Sequence, residues 1–348
     1  MVADSWSVNA IILKDLIMQF ITSLLKGDFF TGGKAAVAKP SGRLRVGILG
    51  TGKIGTDLLI KVQRSPYMEC VIFAGRNLQS AGMQHAVKLG VPVSDKGVRV
   101  FSDQSCRCDI VFDATSAAHH IEHAQIFDQL GIFAIDLTPS QIGECCVPAL
   151  GISEALENKN ISMISCGGQS SIPLAYVLAS LIPNISRLSL KSVVSPDSIG
   201  PGTLANIDEY YRNTRAGLYK YTGINTIDIE LISDEAHTQK PMLNTLCAYA
   251  DAIDMVALRC ALLDMEKIVQ AYVPGYKLQS EPISIDGGVQ IVLTVEGVGD
   301  YLPTYAGNLD IINCAAIAVA EHYAQARLAA HQERPLGRRR YQTMVLDY

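Results

Sequence analysis

The chain has 348 residues, 49% of them hydrophobic, and a formal net charge of −5. That length favours two domains over one, the apolar share can bury a sizeable core, and the charge leaves no basic footprint for nucleic acid. Nine cysteines in a chain of this size fit reduced thiols in a cytoplasmic protein rather than a disulfide scaffold. No apolar run reaches the ~20 residues a membrane span needs. The N-terminus lacks a basic region followed by an apolar core, so neither a secretory signal nor a membrane partner is expected.

In chain order, "AIILKDLIMQFITSLL" sets Leu13, Leu16, Ile17, Phe20 and Leu24 on one helical face. "TGGKAAVAKPSG" follows as a linker, so residues 1–42 read as a helical extension. That helix packs on its own protein or a second copy, or docks elsewhere; its polar face holds too few Lys and Arg for a membrane surface. From residue 43 strands and helices alternate. "RLRVGILG", "ECVIFAG", "DIVFDAT" and "GIFAIDLT" are apolar runs of strand length. "IGTDLLIKVQRS", "SAGMQHAVKLG" with its closing Gly90, and a segment near 117–130 are helical. The pattern implies a doubly wound α/β fold, a parallel sheet with helices on both faces.

The first turn of that unit reads "GTGKIG": Gly50, Thr51, Gly52, Lys53, Ile54 and Gly55. Gly50 permits a tight turn, Gly52 admits a pyrophosphate to the backbone, and Gly55 lets helix and strand approach. The stretch follows a strand and opens a helix, the context in which it means dinucleotide binding. The second strand ends at Arg76 and Asn77, where a carboxylate for the ribose hydroxyls of NAD is usual. A guanidinium there suits the 2′-phosphate of NADP. Alternatively Arg76 faces solvent and neutral groups hold NAD.

"NISMIS" is a further strand, and Cys166 falls at its carboxyl end, the edge where open α/β sheets bind ligands. Gly167 and Gly168 read as a turn, Ser170 or Ser171 as the cap of the next helix, and Pro173 as part of its first turn. A thiol beside a helix N-terminus has a lowered pKa. Such a thiolate near a nicotinamide can attack an acyl carbon while the Gly-Gly backbone N–H groups bind the oxyanion. The competing reading is a structural cysteine.

The other cysteines offer less. Cys106 and Cys108 lie in a polar loop at a spacing poor for zinc, Cys145 and Cys146 are adjacent, and Cys70, Cys247, Cys260 and Cys314 sit in apolar segments expected in the core. The seven histidines are read as offering no ligand pair at helical spacing. His119, His120 and His123 open a helix, and no metal site is expected.

Residues 44 to 330 resemble the acylating acetaldehyde dehydrogenases, CoA-dependent enzymes of aromatic meta-cleavage pathways. The stretches that carry the resemblance are "GILGTGKIGTDLLIKV", "DIVFDATSA", "IDLTPSQIG", "CVP", "MISCGGQSSIP", "GPGTLANIDE", "QAYVPGY" and "YLPTYAGNLDI". It implies a Rossmann domain with an inserted α+β substrate and dimerisation domain. The divisions it suggests are 1–42, 43–184 for the dinucleotide domain with its cysteine, 185–305 for the insert, 306–330 for a returning helix, and a basic tail, 331–348. It further implies interconversion of a short aldehyde plus CoA with acyl-CoA, NAD or NADP as cofactor, no metal, a homodimer, and an aldolase as a possible partner. Cys166 matches the nucleophile. Asn206 and Asn308 match positions lining the cofactor and acyl pocket, and Thr115 and Ser116 fall in the matched "DATSA" on the cofactor side.

The departures bear on activity. An Asp that helps activate the cysteine in the family is Asn244 here, and an amide cannot take a proton. An Asn244 that folds as in the family would hydrogen-bond the Cys166 sulfur, and Asn244→Asp would then restore a base. A family Arg is Leu204, the segment between "VPGY" and "VQIVLTVEG" is shorter, and the N-terminal helix and the tail are additions. A weakened relative kept as a binding or scaffold subunit is therefore the alternative. A phosphorylating semialdehyde dehydrogenase is disfavoured by "CGGQ" and by the want of an acid–base His in the insert.

Overall fold

The computed structural model of the protein describes residues 42–153, 155–200 and 206–332. The expected N-terminal helix, Leu204 and the basic tail beyond residue 332 lie outside the described residues.

Seven strands form the first sheet: β1 (Leu44–Leu49), β2 (Met68–Ala74), β3 (Val93–Ser94), β4 (Ile110–Asp113), β5 (Phe133–Asp136), β6 (Glu144–Cys145) and β7 (Asn160–Ser162). All pair in parallel, in the order β3-β2-β1-β4-β5-β7-β6. β4 and β5 are buried along their whole length, as strands covered on both faces must be. The helices between them are α1 (Lys53–Arg64), α2 (Ala81–Lys88) and α3 (Ala117–Leu130). α1 turns Gly55, Leu58, Leu59 and Val62 inward at helical spacing. The chain winds outward from β1 to β3, then restarts at β4 on the other side of β1. That reversal leaves a crevice at the carboxyl ends of the strands, where such sheets bind ligands.

The second sheet holds β8 (Arg187–Val194), β9 (Ile227–Ser233), β10 (Met242–Tyr249), β11 (Tyr276–Leu278), β12 (Ile283–Ile285) and β13 (Gly288–Val295). Its order is β11-β13-β10-β8-β9, with β12 beside β13; β8 and β9 run parallel and the other pairs antiparallel. Burial alternates residue by residue along β10 and β13, so one face of this sheet is packed and the other is not.

Helix α4 (Cys166–Leu181) joins the two halves: it follows β7 of the first sheet and packs on β10 and β8 of the second. α5 (Ile207–Thr222) and α6 (Met255–Gln270) flank it. α7 (Gly307–Gln332) returns against both α1 and α4. A buried charge cluster ties that return: Lys61 Nζ of α1 lies 3.0, 2.8 and 2.7 Å from carboxylate oxygens of Asp57, Asp300 and Asp310. Removing one partner of such a cluster leaves an uncompensated buried charge.

Several expectations need correction. Cys260 is exposed on α6, and Cys70 and Cys247 are only partly buried, because amphipathic elements turn some apolar positions outward. Cys108 lies in the loop before β4 as expected, but its side chain is buried with Phe101 and Phe127. His119 and His123 do stand one helical turn apart, their rings stacked at 6.0 Å.

Candidate active site

At the first helix of the parallel sheet the glycines do three different things. Gly50 has φ +109°, and a Cβ there would lie 2.4 Å from the Ala114 carbonyl oxygen. A Cβ on Gly55 would lie 1.8 Å from the Gly50 carbonyl oxygen. A Cβ on Gly52, by contrast, would meet no atom of the described residues within 4 Å, and as N-cap of α1 it brings no side-chain cap. The N–H groups of the first turn therefore open onto free space, which fits the pyrophosphate of NAD. Around this cradle Thr51 meets the Ser80 hydroxyl at 3.2 Å, exposed Lys53 reaches the Asp197 carbonyl at 3.3 Å, and the Ile54 carbonyl accepts from Asn313 of α7. Arg76 and Asn77 are exposed after β2, and the Asn77 side chain closes a local turn by accepting from the Gln79 N–H. Thr115 donates through its N–H and hydroxyl to Asp113, and Ser116 pairs with His119 at 2.7 Å.

Three places along the sheet from β1, the chain leaves β7 through Ile164, whose φ of +65° is unfavourable for a β-branched residue. The strain is held from outside. Asn213 of α5 donates to the Ile164 carbonyl, Thr214 of α5 meets the Ser165 hydroxyl at 2.6 Å, and Gln169 donates to the carbonyls of Cys146 and Met163. Helix α4 then begins at Cys166 itself. Its cap is Ser165, which accepts from the Gly168 N–H at 2.9 Å.

This corrects the expected geometry. Gly167 and Gly168 form the first helical turn rather than a loop. Ser170 and Ser171 lie inside the helix, donating back to the carbonyls of Cys166 and Gly167, and Pro173 is also interior. The glycines are explained by crowding: a Cβ on Gly167 would lie 2.3 Å from the Tyr210 hydroxyl oxygen, and one on Gly168 2.7 Å from the Ile164 side chain.

Cys166 keeps partial exposure, yet the protein packed around it pushes the thiol up to about 11. The expected lowering by the helix N-terminus is outweighed, because desolvation penalises the thiolate more than the nearby backbone N–H groups stabilise it. Asn244 is fully buried, and its amide donates to the Ser170 hydroxyl, one turn along α4 from the thiol, rather than to the Cys166 sulfur; its carbonyl oxygen has no partner. An Asp at 244 would lose that donated bond and bury a carboxylate. Asn206 is the N-cap residue of α5, and buried Asn308 opens α7 with its side-chain oxygen unpartnered. An orphaned buried acceptor at the start of α7, which packs on both α1 and α4, fits a group such as a nicotinamide carboxamide that can donate to it. Leading into α5, Asn206 is only partly buried.

One network was not singled out from the sequence. At the ends of β4 and β5, buried Asp113 accepts from His120 Nδ1 at 2.8 Å and His123 Nδ1 at 2.7 Å, and His120 Nε2 lies 3.6 Å from Asp136. Burial alone would raise Asp113, but the two histidine bonds outweigh it and bring the carboxyl down to about 2. Asp136 lacks an equal partner, and burial pushes it up to about 7. The available signal was the carboxylate of "FDAT" followed by histidines 7 and 10 residues on. Among the described residues no group of three or more His, Cys, Asp or Glu is placed to hold a metal.

The family described as semialdehyde dehydrogenase, NAD binding domain, matches residues 45–141, and prokaryotic acetaldehyde dehydrogenase, dimerisation, matches 166–303. An acetaldehyde dehydrogenase of Spirochaeta aurantia is 46% identical over 296 residues, covering 85% of this chain and 98% of the relative. The chain belongs to the acetaldehyde dehydrogenase family. Relatives of that name from Pectobacterium atrosepticum, 46% identical over 82% of this chain and 97% of the relative, and Geobacillus stearothermophilus, 39% over 83% and 98%, agree. The family's NAD-binding match covers the glycine cradle and the Asp113 network, and its dimerisation match begins at Cys166.

Proposed function

We propose that this chain interconverts a short aldehyde plus CoA with the corresponding acyl-CoA, with NAD as the redox cofactor and Cys166 as the acyl carrier. The reading is carried by the position of Cys166: a partly exposed cysteine, first residue of a helix, on the same sheet edge as an open dinucleotide cradle. NAD, when bound, supplies the hydride acceptor. Gly50, Gly52 and the first turn of α1 hold the pyrophosphate, and Asn308 and Asn206 orient the nicotinamide end and line the acyl pocket. Cys166 loses its proton and adds to the aldehyde carbonyl. The Gly167 N–H lies at the positive end of α4, where it favours the developing oxyanion, whereas the Gly168 N–H is held by the Ser165 cap. After hydride loss the acyl group rests on Cys166 as a thioester, and the CoA sulfur removes it. Asn244 positions the first turn of α4 through Ser170. The scaffold reading finds no support beside an open cradle and a partly exposed Cys166.

A homodimer forms through the 166–303 segment. Nine free cysteines suit a reducing, cytoplasmic setting, and among the described residues no helix is long and apolar enough to cross a membrane. An aldolase that hands over its aldehyde is the partner the resemblance implies; co-elution with a pyruvate-type aldolase tests it separately. The reaction is tested by NADH absorbance with acetaldehyde and NAD, comparing CoA with phosphate. NADH formation that needs CoA, with an acyl adduct on the Cys166 peptide, is expected. NADH formation that needs phosphate instead, or none at all, would overturn the reading.

A further inference from the structure

The thiol that this reading makes the nucleophile is held well above neutrality, and the amide of Asn244 is turned to Ser170. The backbone N–H groups of Cys166 and Gly167 do not offset that burial, which leaves a role for a further donor to the sulfur. The packed face of β8 and β10 puts Ser192 and Asn244 opposite one another, and both are buried. Above them, the first turn of α5 places Tyr210, 5% exposed. Its hydroxyl lies over Gly167, so close that a Cβ there would be 2.3 Å away. Tyr210 Oη faces Ser192 and Thr214, but among the described residues neither it nor Ser192 Oγ makes a hydrogen bond of ordinary geometry. A buried phenol without a firm partner is costly, and this one stands beside the residue that follows the nucleophile.

We propose that Tyr210 is a second catalytic residue: its hydroxyl donates a hydrogen bond to the Cys166 sulfur whenever that sulfur carries negative charge. The proposal rests on Cys166 being the nucleophile. Three features suit the role. The phenol stays protonated, because burial and then the neighbouring Cys166 hold it well above its ordinary value, so it is a donor across the working pH range. Its backbone is fixed, since the Tyr210 carbonyl accepts from Thr214, the same hydroxyl that meets the Ser165 cap. Compared with the Ser192 hydroxyl and the Asn244 amide, the Tyr210 phenol is the more acidic donor, and the other phenol near this turn, Tyr276, is committed to the Ser170 carbonyl. No proton is transferred. In the oxidative direction the bond favours loss of the thiol proton to solvent before attack. In the reductive direction it favours departure of the sulfur from the thiohemiacetal.

The test compares wild type with Tyr210→Phe, and with Tyr210→Met as a second variant lacking the hydroxyl. The readouts are the pH profile of iodoacetamide alkylation on the Cys166 peptide, CoA-dependent turnover, NADH affinity and melting temperature. Charge-assisted hydrogen bonds of this kind predict an alkylation pKa raised by about one unit and kcat lowered about 10-fold or more. NADH affinity should stay within about twofold and the melting temperature should change little, since the lost hydroxyl makes no hydrogen bond of ordinary geometry among the described residues. An unchanged alkylation profile in both folded variants would overturn the proposal. A wild-type chain without CoA-dependent turnover would instead overturn the reaction, and the alkylation shift would still decide Tyr210.

Discussion

Two helix N-termini face the same crevice and are finished in opposite ways. At α1 the cap is Gly52, bare, exposed and surrounded by open space. At α4 the cap is Ser165, buried, bonded to Gly168 and gripped by Thr214 of another helix. Both follow a parallel strand and both are glycine-rich. The difference shows what makes a helix start into a phosphate site: unfilled N–H groups and room for the anion. Where the cap is satisfied and the surroundings are packed, the same geometry holds a thiol in place and leaves it protonated.

The sharpest break between the two sites is Cys166→Ala. It should lower CoA-dependent turnover about 10⁴-fold or more while leaving NADH binding, followed by fluorescence titration, unchanged. Substantial aldehyde oxidation by this variant would show that the packed helix start is not the nucleophile's seat.

The glycine cradle can be separated into scaffold and ligand surface. Gly55→Ala forces a methyl group onto the Gly50 carbonyl and should cost about 2–4 kcal/mol in stability, seen as a lower urea midpoint. Gly52→Ala meets no protein atom, so stability should hold while NADH affinity drops about 10-fold. Equal melting behaviour with equal NADH affinity in Gly52→Ala would mean the open cap is not where the phosphates lie.

Between the two helix starts sits the Asp113–His120–Asp136 network, and it makes stability depend on pH. The Asp136 carboxyl, near 7 in the folded protein against 3.8 when unfolded, keeps its proton longer when folded, so stability falls as pH rises from about 4 to 7. Burial pulls His120 down, but its bond to Asp113 and the charge of Asp136 outweigh it. Its raised value adds stability below 6.5 that is lost as pH rises through the folded pKa. Asp113, near 2, contributes above 3.8 and fails only in acid. Melting temperature should therefore drop by about 2–6 °C between pH 5 and 8, and Asp136→Asn should flatten that slope. A slope that persists in the variant would place its origin elsewhere.

The smallest effect concerns the rim of the cradle. Arg76 is exposed after β2, and among the described residues no ion pair or hydrogen bond pulls it away from an adenosine 2′-phosphate. Arg76→Ala should weaken NADPH binding about 10-fold and NADH binding hardly at all. Equal effects on both would show that the guanidinium serves neither.

The parallel half of the molecule was legible because its signals are local. Apolar runs of strand length, helical spacing in "DLLIKV" and the glycines of "GTGKIG" act within a few residues, and so does the strand end that presents Cys166. The sequence also carried the family, through motifs in order along most of the chain. What only the tertiary structure decided lies in contacts made across long separations. Ser165 was passed over as a cap in favour of Ser170 and Ser171, because the helix start depends on Thr214 and Asn213 holding Ile164 and Ser165 from 49 residues away. The direction of the Cys166 pKa reversed because desolvation is a sum over everything packed nearby, whereas a helix N-terminus is visible in one segment. Asn244 could be seen as an amide but not as Ser170's partner, 74 residues distant. Gly167 looked like a flexible turn until Tyr210 occupied the space its side chain would need. Sequence determines which chemical groups are present and which secondary elements carry them. Burial and partner choice, which set the protonation and the reactivity of those groups, exist only once the second sheet has closed over the helix that begins at Cys166.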